Sequence, residues 1–529
     1  MADCFLETVC NRSPQKKEMT MSKTVRSAVT AVLVALSLAV FPLAAGAESG
    51  GVLNVGSQPV SNLDPHFSSS IADILVLEQC YHHLTFINAE NQAIPDLATK
   101  WDSPDGKIWT FHLREGVKFS NGKAVTAEDV VFSFDRMRDP EIGAPTVSLY
   151  ENIQKVEAVD PLTVKFTLNN QNPEFAADVG DYHSAIIPAG TSDPAEARIG
   201  SGAFMVTAYF PEDRVVLKRN PHFSQKDAEG NALPYLDEVH LIFSPDMGGQ
   251  VEALRGGELH FVGGLTTEFA ETIEESPNTK TLKNESNMHW IIHMRSDGNR
   301  PAADNRVRKA LKLATDHQAI INAVRPGLAV PGNGFTPVGP AYGDYYLDKP
   351  PVRDVEQAKK LLAEAGYADG LEIELVAQNQ LDVIPIATVW KEQLAEIGVT
   401  ANIQVIPTDL YFGEGENSWL KCNFGITDWG SRATPVTYFK LAYTSDGKWN
   451  GAHWKDEEFD KLVQEVDSEM VKENRVKLYH RLQEILIERG PVIAAYFEVA
   501  VAGLNAKVDG VVLPSDWART RFWEARFTD

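Results

Sequence analysis

The chain has 529 residues and a formal charge of −24, with 43% hydrophobic, 9% aromatic and 23% charged residues. That length is more than three times a typical domain of about 150 residues, which excludes one small module, and the ordinary composition excludes disordered, collagen-like and fibrous classes. A surface this acidic repels phosphate backbones and anionic lipid headgroups, which argues against nucleic acid as a partner and for a soluble chain kept monomeric by self-repulsion.

In chain order, the first signal is for export. Lys23 and Arg26 precede the apolar run from Ala28 to Ala45, and Ala45-Gly46-Ala47 supplies a small-residue cleavage site. Residues 1–47 therefore read as a leader removed before Glu48, with Met19 or Met21 as possible true starts. An uncleaved membrane anchor is the competing reading of a run this long. Of four cysteines, Cys4 and Cys10 precede the cleavage site. Cys80 and Cys422 remain, either as one disulfide or as two buried thiols.

Residues 100–170 carry short strand patterns, Trp109–Leu113, Gly116–Phe119 and Leu162–Leu168, with a turn at Asn121-Gly122. Met288–Met294 reads as an apolar strand. Gly332-Asn333-Gly334 is half of a dinucleotide fingerprint, but Phe335-Thr336-Pro337 cannot open the required helix, so it reads as a loop. Asp354 caps a predicted helix with the apolar face Ala358, Leu361, Leu362 and Ala365, ending at Gly366. Leu371, Ile373 and Leu375 then alternate with glutamates as a strand does, a second helix through Val389, Trp390 and Leu394 stops at Gly398, and Ala401, Ile403 and Val405 alternate again. This α-β-α-β order predicts two parallel strands joined by a right-handed crossover. Further helices are expected through Phe459–Val466 and Val476–Leu486, followed by a strand at Val492–Phe497. An α/β lobe joined to a strand-rich region implies at least two lobes, with the site between them.

Familiar catalytic and cofactor motifs are missing from the sequence: no phosphate-binding loop, no complete dinucleotide fingerprint, no H-E-x-x-H, no C-x-x-C and no G-x-S-x-G. His289 and His293 lie on one strand, where i and i+4 stand about 13 Å apart, too far for one metal ion. They and the adjacent pair His82-His83 are read as satisfied or surface histidines. Glu457-Glu458 and Glu212-Asp213 are read as solvated surface.

Several segments together resemble the bacterial extracellular solute-binding proteins of family 5, the peptide, opine and nickel receptors of ABC importers. These are Leu63-Asp64-Pro65-His66, the run from Trp101 to Gly122 continuing through Thr126-Ala-Glu-Asp-Val130, Gly200-Ser-Gly-Ala-Phe204, Asn305–Leu311, Ala363-Glu-Ala-Gly-Tyr367 and the Trp429-Gly430 loop. The resemblance implies an α/β, two-lobed periplasmic binding protein of the type II, Venus-flytrap kind with an extra strand-rich subdomain. The implied parts are a first lobe from residues 48–90, 195–295 and 498–529, a strand-rich insertion at 91–194 and a second lobe at 296–497, hinged near residues 295 and 498.

It further implies a small organic solute and a membrane permease as partners, and no catalytic residue, metal or cofactor. In peptide-binding relatives a carboxylate after the Trp-containing loop pairs with the peptide's amino group. Here Thr434 stands at the matching place, with Arg432 beside it. The implied ligand-binding residues are Asp428, Trp429, Ser431 and Arg432 of that loop, with Arg295, Tyr81, Tyr182, His183 and Trp449. Arg432 and Arg295 suit a bidentate grip on a carboxylate or phosphate, and the aromatics suit stacking. The competing readings are an exported hydrolase with an unrecognised site and a metal-chelate receptor.

Overall fold

The computed structural model of this chain describes residues 50–528, except 69, 145, 146, 148, 245, 381 and 414 and the side chain of Asp409. The expected leader, with Cys4 and Cys10, lies outside the described residues. None of the described helices is long and apolar enough to cross a membrane.

Alternating hydrophobicity builds the smaller of two principal sheets. Ile108–Leu113 buries Trp109, Phe111 and Leu113 and turns the residues between them toward the surface. It pairs with Ala98–Asp102 on one side and Thr163–Leu168 on the other, and Ile153–Asp160 completes a four-stranded antiparallel sheet. Helix Ala127–Arg138 begins with a capping box between Thr126 and Asp129. Its Val130, Phe134 and Met137 join Phe111, Phe166 and Phe175 in an aromatic core. The strand expected at Gly116–Phe119 does not form. Lys118 makes only an isolated bridge to Ala124, because Gly116 and Gly122 both adopt positive φ, 77° and 84°, and turn the chain out of a ladder.

The larger sheet runs in the order Val399–Ile406, Leu371–Gln378, Phe424–Trp429, Thr279–Met294, Val492–Asn505, Phe261–Gly263, Val52–Ser57, Glu238–Phe243, Arg214–Arg219, Phe204–Phe210. The predicted α-β-α-β unit is present at one end. Asp354 accepts the Gln357 N–H to cap helix Val355–Glu364, and Leu371–Gln378 and Val399–Ile406 pair in parallel around helix Val383–Ala395. Helices Glu457–Ser468 and Lys472–Arg489 lie where the periodicity places them.

Two long strands connect the halves of this sheet. Thr279–Met294 and Val492–Asn505 pair antiparallel along most of their length, with a register break between Glu285 and His289 opposite Val499 and Phe497. Before the break the ribbon borders Phe261–Gly263, and after it His289–Met294 pairs with Phe424–Trp429. Residues 286–288 fall at this break in the ladder. Residues 289–294 already belong to the second half, a pairing that the apolar run alone does not disclose. Apolar cores flank both halves, around Leu53, Leu217, Leu241 and Phe522 on one side and around Leu375, Trp390, Ile426 and Ile493 on the other.

Cys80 and Cys422 are both free and buried, so no disulfide joins them. The four histidines considered above are all buried, none at the surface. His82 and His83 contact Asp96, Glu78 and Arg521. His293 meets the Cys422 thiol at 3.4 Å, whereas His289 bonds the Asn287 carbonyl and keeps Nε2 without a partner. Burial pushes His82, His289 and His293 down to about 4. They are uncharged at neutral pH.

Candidate functional site

A cavity of about 1230 Å³ lies between the strand-rich insertion with the C-terminal tail on one side and the second half of the large sheet on the other. The insertion contributes Asn169–Asn172 and the turn through Asp178, Asp181, Tyr182 and His183, and the tail contributes Pro514–Asp516 and Arg519. Opposite them stand Ser431–Thr434, Thr437, Lys440 and the loop through Thr444 to Trp449.

The loop bearing Arg432 follows strand Phe424–Trp429 and is closed by Thr434 and Pro435, which open helix Pro435–Tyr438. Tyr438 accepts the Arg432 N–H at 3.1 Å and donates to the Gly430 carbonyl at 2.8 Å, while Tyr342 donates to the Arg432 carbonyl at 2.8 Å. With its backbone held at both ends, Arg432 extends a half-buried side chain along the cavity wall. Its guanidinium reaches only the Ser431 carbonyl, at 3.5 Å, and no carboxylate among the described residues pairs with it.

The facing wall is built differently. Asp181 accepts both the His183 N–H and ring N–H, at 3.0 and 2.7 Å, and the His183 ring lies against Tyr182, tilted by 33° with ring centroids 3.9 Å apart. Asp178 accepts from Asn172 at 2.6 Å, and burial pushes its carboxyl up to about 7. Asp516 caps the turn Trp517–Arg519 through Ala518 N–H, and burial raises it too. Arg519 donates to the fully buried Glu78 at 2.8 Å but leaves Nη2 without an acceptor. Burial opposes ionisation of Glu78, yet Arg519, His83 and Arg521 together hold it below the usual carboxylate range.

Residues 92–451 match the model of the bacterial extracellular solute-binding proteins, family 5 Middle. The chain belongs to this family. It is 27% identical to the periplasmic oligopeptide-binding protein OppA of Salmonella typhimurium over 491 residues, which cover 85% of this chain and 87% of that one. Among solved structures it resembles the ABC transporter substrate-binding protein CtaP of Listeria monocytogenes, with 23% identity and a TM-score of 0.78 over 91% of this chain and 100% of that chain. It also resembles the binding protein AgaA of A. tumefaciens, solved with agropinic acid, with 25% identity and a TM-score of 0.72 over 90% and 99%. The fold is the two-lobed, α/β type II architecture of periplasmic binding proteins.

In this family 5 protein, five of the nine residues singled out from sequence line the one cavity: Tyr182, His183, Ser431, Arg432 and Trp449. Trp429 stands just behind, 5% exposed, packed on Tyr438 and Trp449 at 5.6 and 5.7 Å and lining a separate small chamber of about 20 Å³. Three residues lie elsewhere. Tyr81 is 2% exposed in the first-lobe core, where it closes helix Ile71–Cys80. Arg295 is held by Asp297 and the Lys421 carbonyl. Asp428 points to the other face of its strand from Trp429, exposed beside Gln378. Sequence reasoning missed Asp178, Asp516, Arg519 and Lys448. The tail residues carry no local signal because the fold alone returns them to the cavity. Among the described residues no group of three or more His, Cys, Asp or Glu is placed to hold a metal ion.

Proposed function

We propose that this chain is the exported receptor of an ABC importer, binding a small organic solute with an anionic group between its lobes, holding it unreacted and presenting the closed form to a membrane permease. The observation that carries this reading is the guanidinium of Arg432, unpaired on the wall of a cavity large enough for a peptide-sized guest. An uncompensated half-buried cation is costly, and a carboxylate or phosphate relieves it bidentately. Names among the relatives support the solute class: OppA is an oligopeptide-binding protein, and AgaA was solved with an acid.

The lobes are assigned as 48–90, 195–287 and 498–529 for the first, 91–194 for the insertion and 288–497 for the second, with the ribbon break as hinge. Backbone rotation is absorbed most easily where ladder pairing is already interrupted. The receptor works as a periplasmic monomer, without nucleic acid. A ligand drives closure only through its difference in affinity between open and closed forms, so no reactive group is required.

Mass spectrometry of the purified exported chain tests the proposal. A stoichiometric small molecule released intact and rebound with a change in tryptophan fluorescence, through Trp449 and Trp429, is the expected result. Turnover of a chromogenic ester, amide or glycoside, lost on changing one acidic residue, would replace this reading with a hydrolase. Retention of stoichiometric metal would replace it with a chelate receptor.

A further inference from the structure

We infer that Glu174 is an interlobe latch: it reaches from the insertion into a polar socket of the second lobe and prolongs the hold on a solute that it does not touch. This rests on the receptor reading and the lobes assigned above, and adds a positioning residue outside the cavity. The insertion is pinned to the first lobe and the tail. Arg136 donates to Asp64 at 2.6 Å and stands 2.8 Å from a ring nitrogen of His66, Arg521 donates to Asp96 at 2.9 Å, and the Ile186 N–H donates to the His82 carbonyl at 2.9 Å. Whatever the insertion grips on the second lobe therefore holds the two lobes together.

Glu174 supplies that grip. Its carboxylate accepts from the Tyr345 phenol at 2.8 Å and from the Tyr479 phenol at 3.1 Å, with the Arg475 guanidinium 3.8 Å away. The second lobe builds the socket by itself. Gln483 donates to the Tyr345 carbonyl at 2.7 Å, and Arg475 donates to the Tyr345 hydroxyl at 3.2 and 3.3 Å and to the Glu469 and Met470 carbonyls at 3.0 Å each. Tyr479 is fully buried. Donors fixed in this way around one point, beside a cation, suit a carboxylate and define the angle at which it enters. Asn91 repeats the crossing, donating at 2.9 Å to the carbonyl of Ala341 on the turn Pro340–Tyr345 that carries Tyr345.

Glu174, Tyr345, Arg475 and Tyr479 stand outside the cavity wall, yet the latch shares a turn with it. Asn172, which lines the cavity, accepts the Glu174 N–H at 3.0 Å and donates at 2.6 Å to Asp178, another lining residue. Opening the cleft draws the carboxylate out of its socket and strips the phenols and Arg475 of their acceptor. That contribution belongs to the closed form and not to the solute, so it adds the same increment to the affinity for every solute.

The test compares wild type, Glu174→Ala, Tyr345→Phe and the double variant as exported chains, each checked for folding by its melting transition. The probes are trialanine, followed by tryptophan fluorescence, and the small-molecule fraction extracted from purified wild type, followed by mass spectrometry during timed dialysis. Glu174→Ala is expected to speed dissociation and weaken binding by about tenfold, the worth of hydrogen bonds to a charged group, with one factor for both probes. Tyr345→Phe should act in the same direction, and the double variant should lose no more than Glu174→Ala alone. Dissociation unchanged in both single variants, losses that multiply in the double variant, or factors that differ between the probes would overturn the inference and leave the receptor reading intact. If trialanine is not bound, the dissociation of the retained solute from the four proteins decides. No bound peptide and no retained solute would count against both.

Discussion

Glu78, Asp96, Arg519 and Arg521 form a buried ionic cluster behind the cavity, with Arg521 bridging Glu78 at 3.1 Å and Asp96 at 2.9 Å. Removing one member of such a set leaves the others charged and unpaired in a poor dielectric, so Arg521→Ala should destabilise the first lobe by about 3–5 kcal/mol, measured by chemical denaturation. The same cluster fixes a pH dependence. Burial works against both carboxylates, yet the arginines hold Glu78 and Asp96 below their ordinary values. Groups depressed on folding contribute stability that is present above about pH 4 and lost as pH falls through their folded values. Asp178 acts in the opposite sense. Raised to about 7 by burial, with Asn172 and Lys440 favouring its charge and Glu174 and Asp181 opposing it, it takes up a proton on folding, so stability should decline between about pH 4 and 7. Asp178→Asn should remove that decline, and melting curves at pH 5 and 8 check it; an unchanged difference would contradict the burial argument.

At the scale of elements, the segment Gly200-Ser-Gly-Ala-Phe204 passes against the end of helix Ile71–Cys80. Gly202 donates to the Cys80 carbonyl at 2.8 Å, and a Cβ there would stand 2.5 Å from that carbonyl carbon. Gly202→Ala must push backbone apart, and a loss of about 1–3 kcal/mol is expected in the same denaturation assay. Asp354→Ala, removing a cap exposed to solvent, should cost only about 1 kcal/mol. Such local chemistry explains what was legible in the sequence. The caps, alternations and stops between residues 354 and 405 are decided within a few neighbours, and the structure has them where the pattern predicts, except that Val405 at the end of the second strand is exposed. At Gly116–Phe119 the strand-like residues serve a turn, because the glycines at 116 and 122 take positive φ. Asp428 and Trp429 are neighbours in the chain but face opposite ways on their strand, and the Tyr81 ring belongs to the core. The run from Trp101 to Gly122 that marks the family builds a hairpin and turn of the insertion; it reports the fold and not the guest.

At the scale of the molecule, the cavity unites stretches as distant in sequence as Asn91, Asp181, Arg432 and Asp516. Only the long ribbon Thr279–Met294 with Val492–Asn505 and the return of the tail bring them together, so the part of the site built by the insertion and the tail could not be read before the fold was known. Because the ribbon joins the lobes at a register break, binding energy at the cavity should be converted into rotation there. Small-angle X-ray scattering of the exported chain, stripped of solute and then saturated again with the solute it retained on purification, tests this most directly. The account predicts a smaller radius of gyration on saturation, reversed on removal, with the solute recovered unchanged in mass. An identical radius with and without bound solute would contradict it.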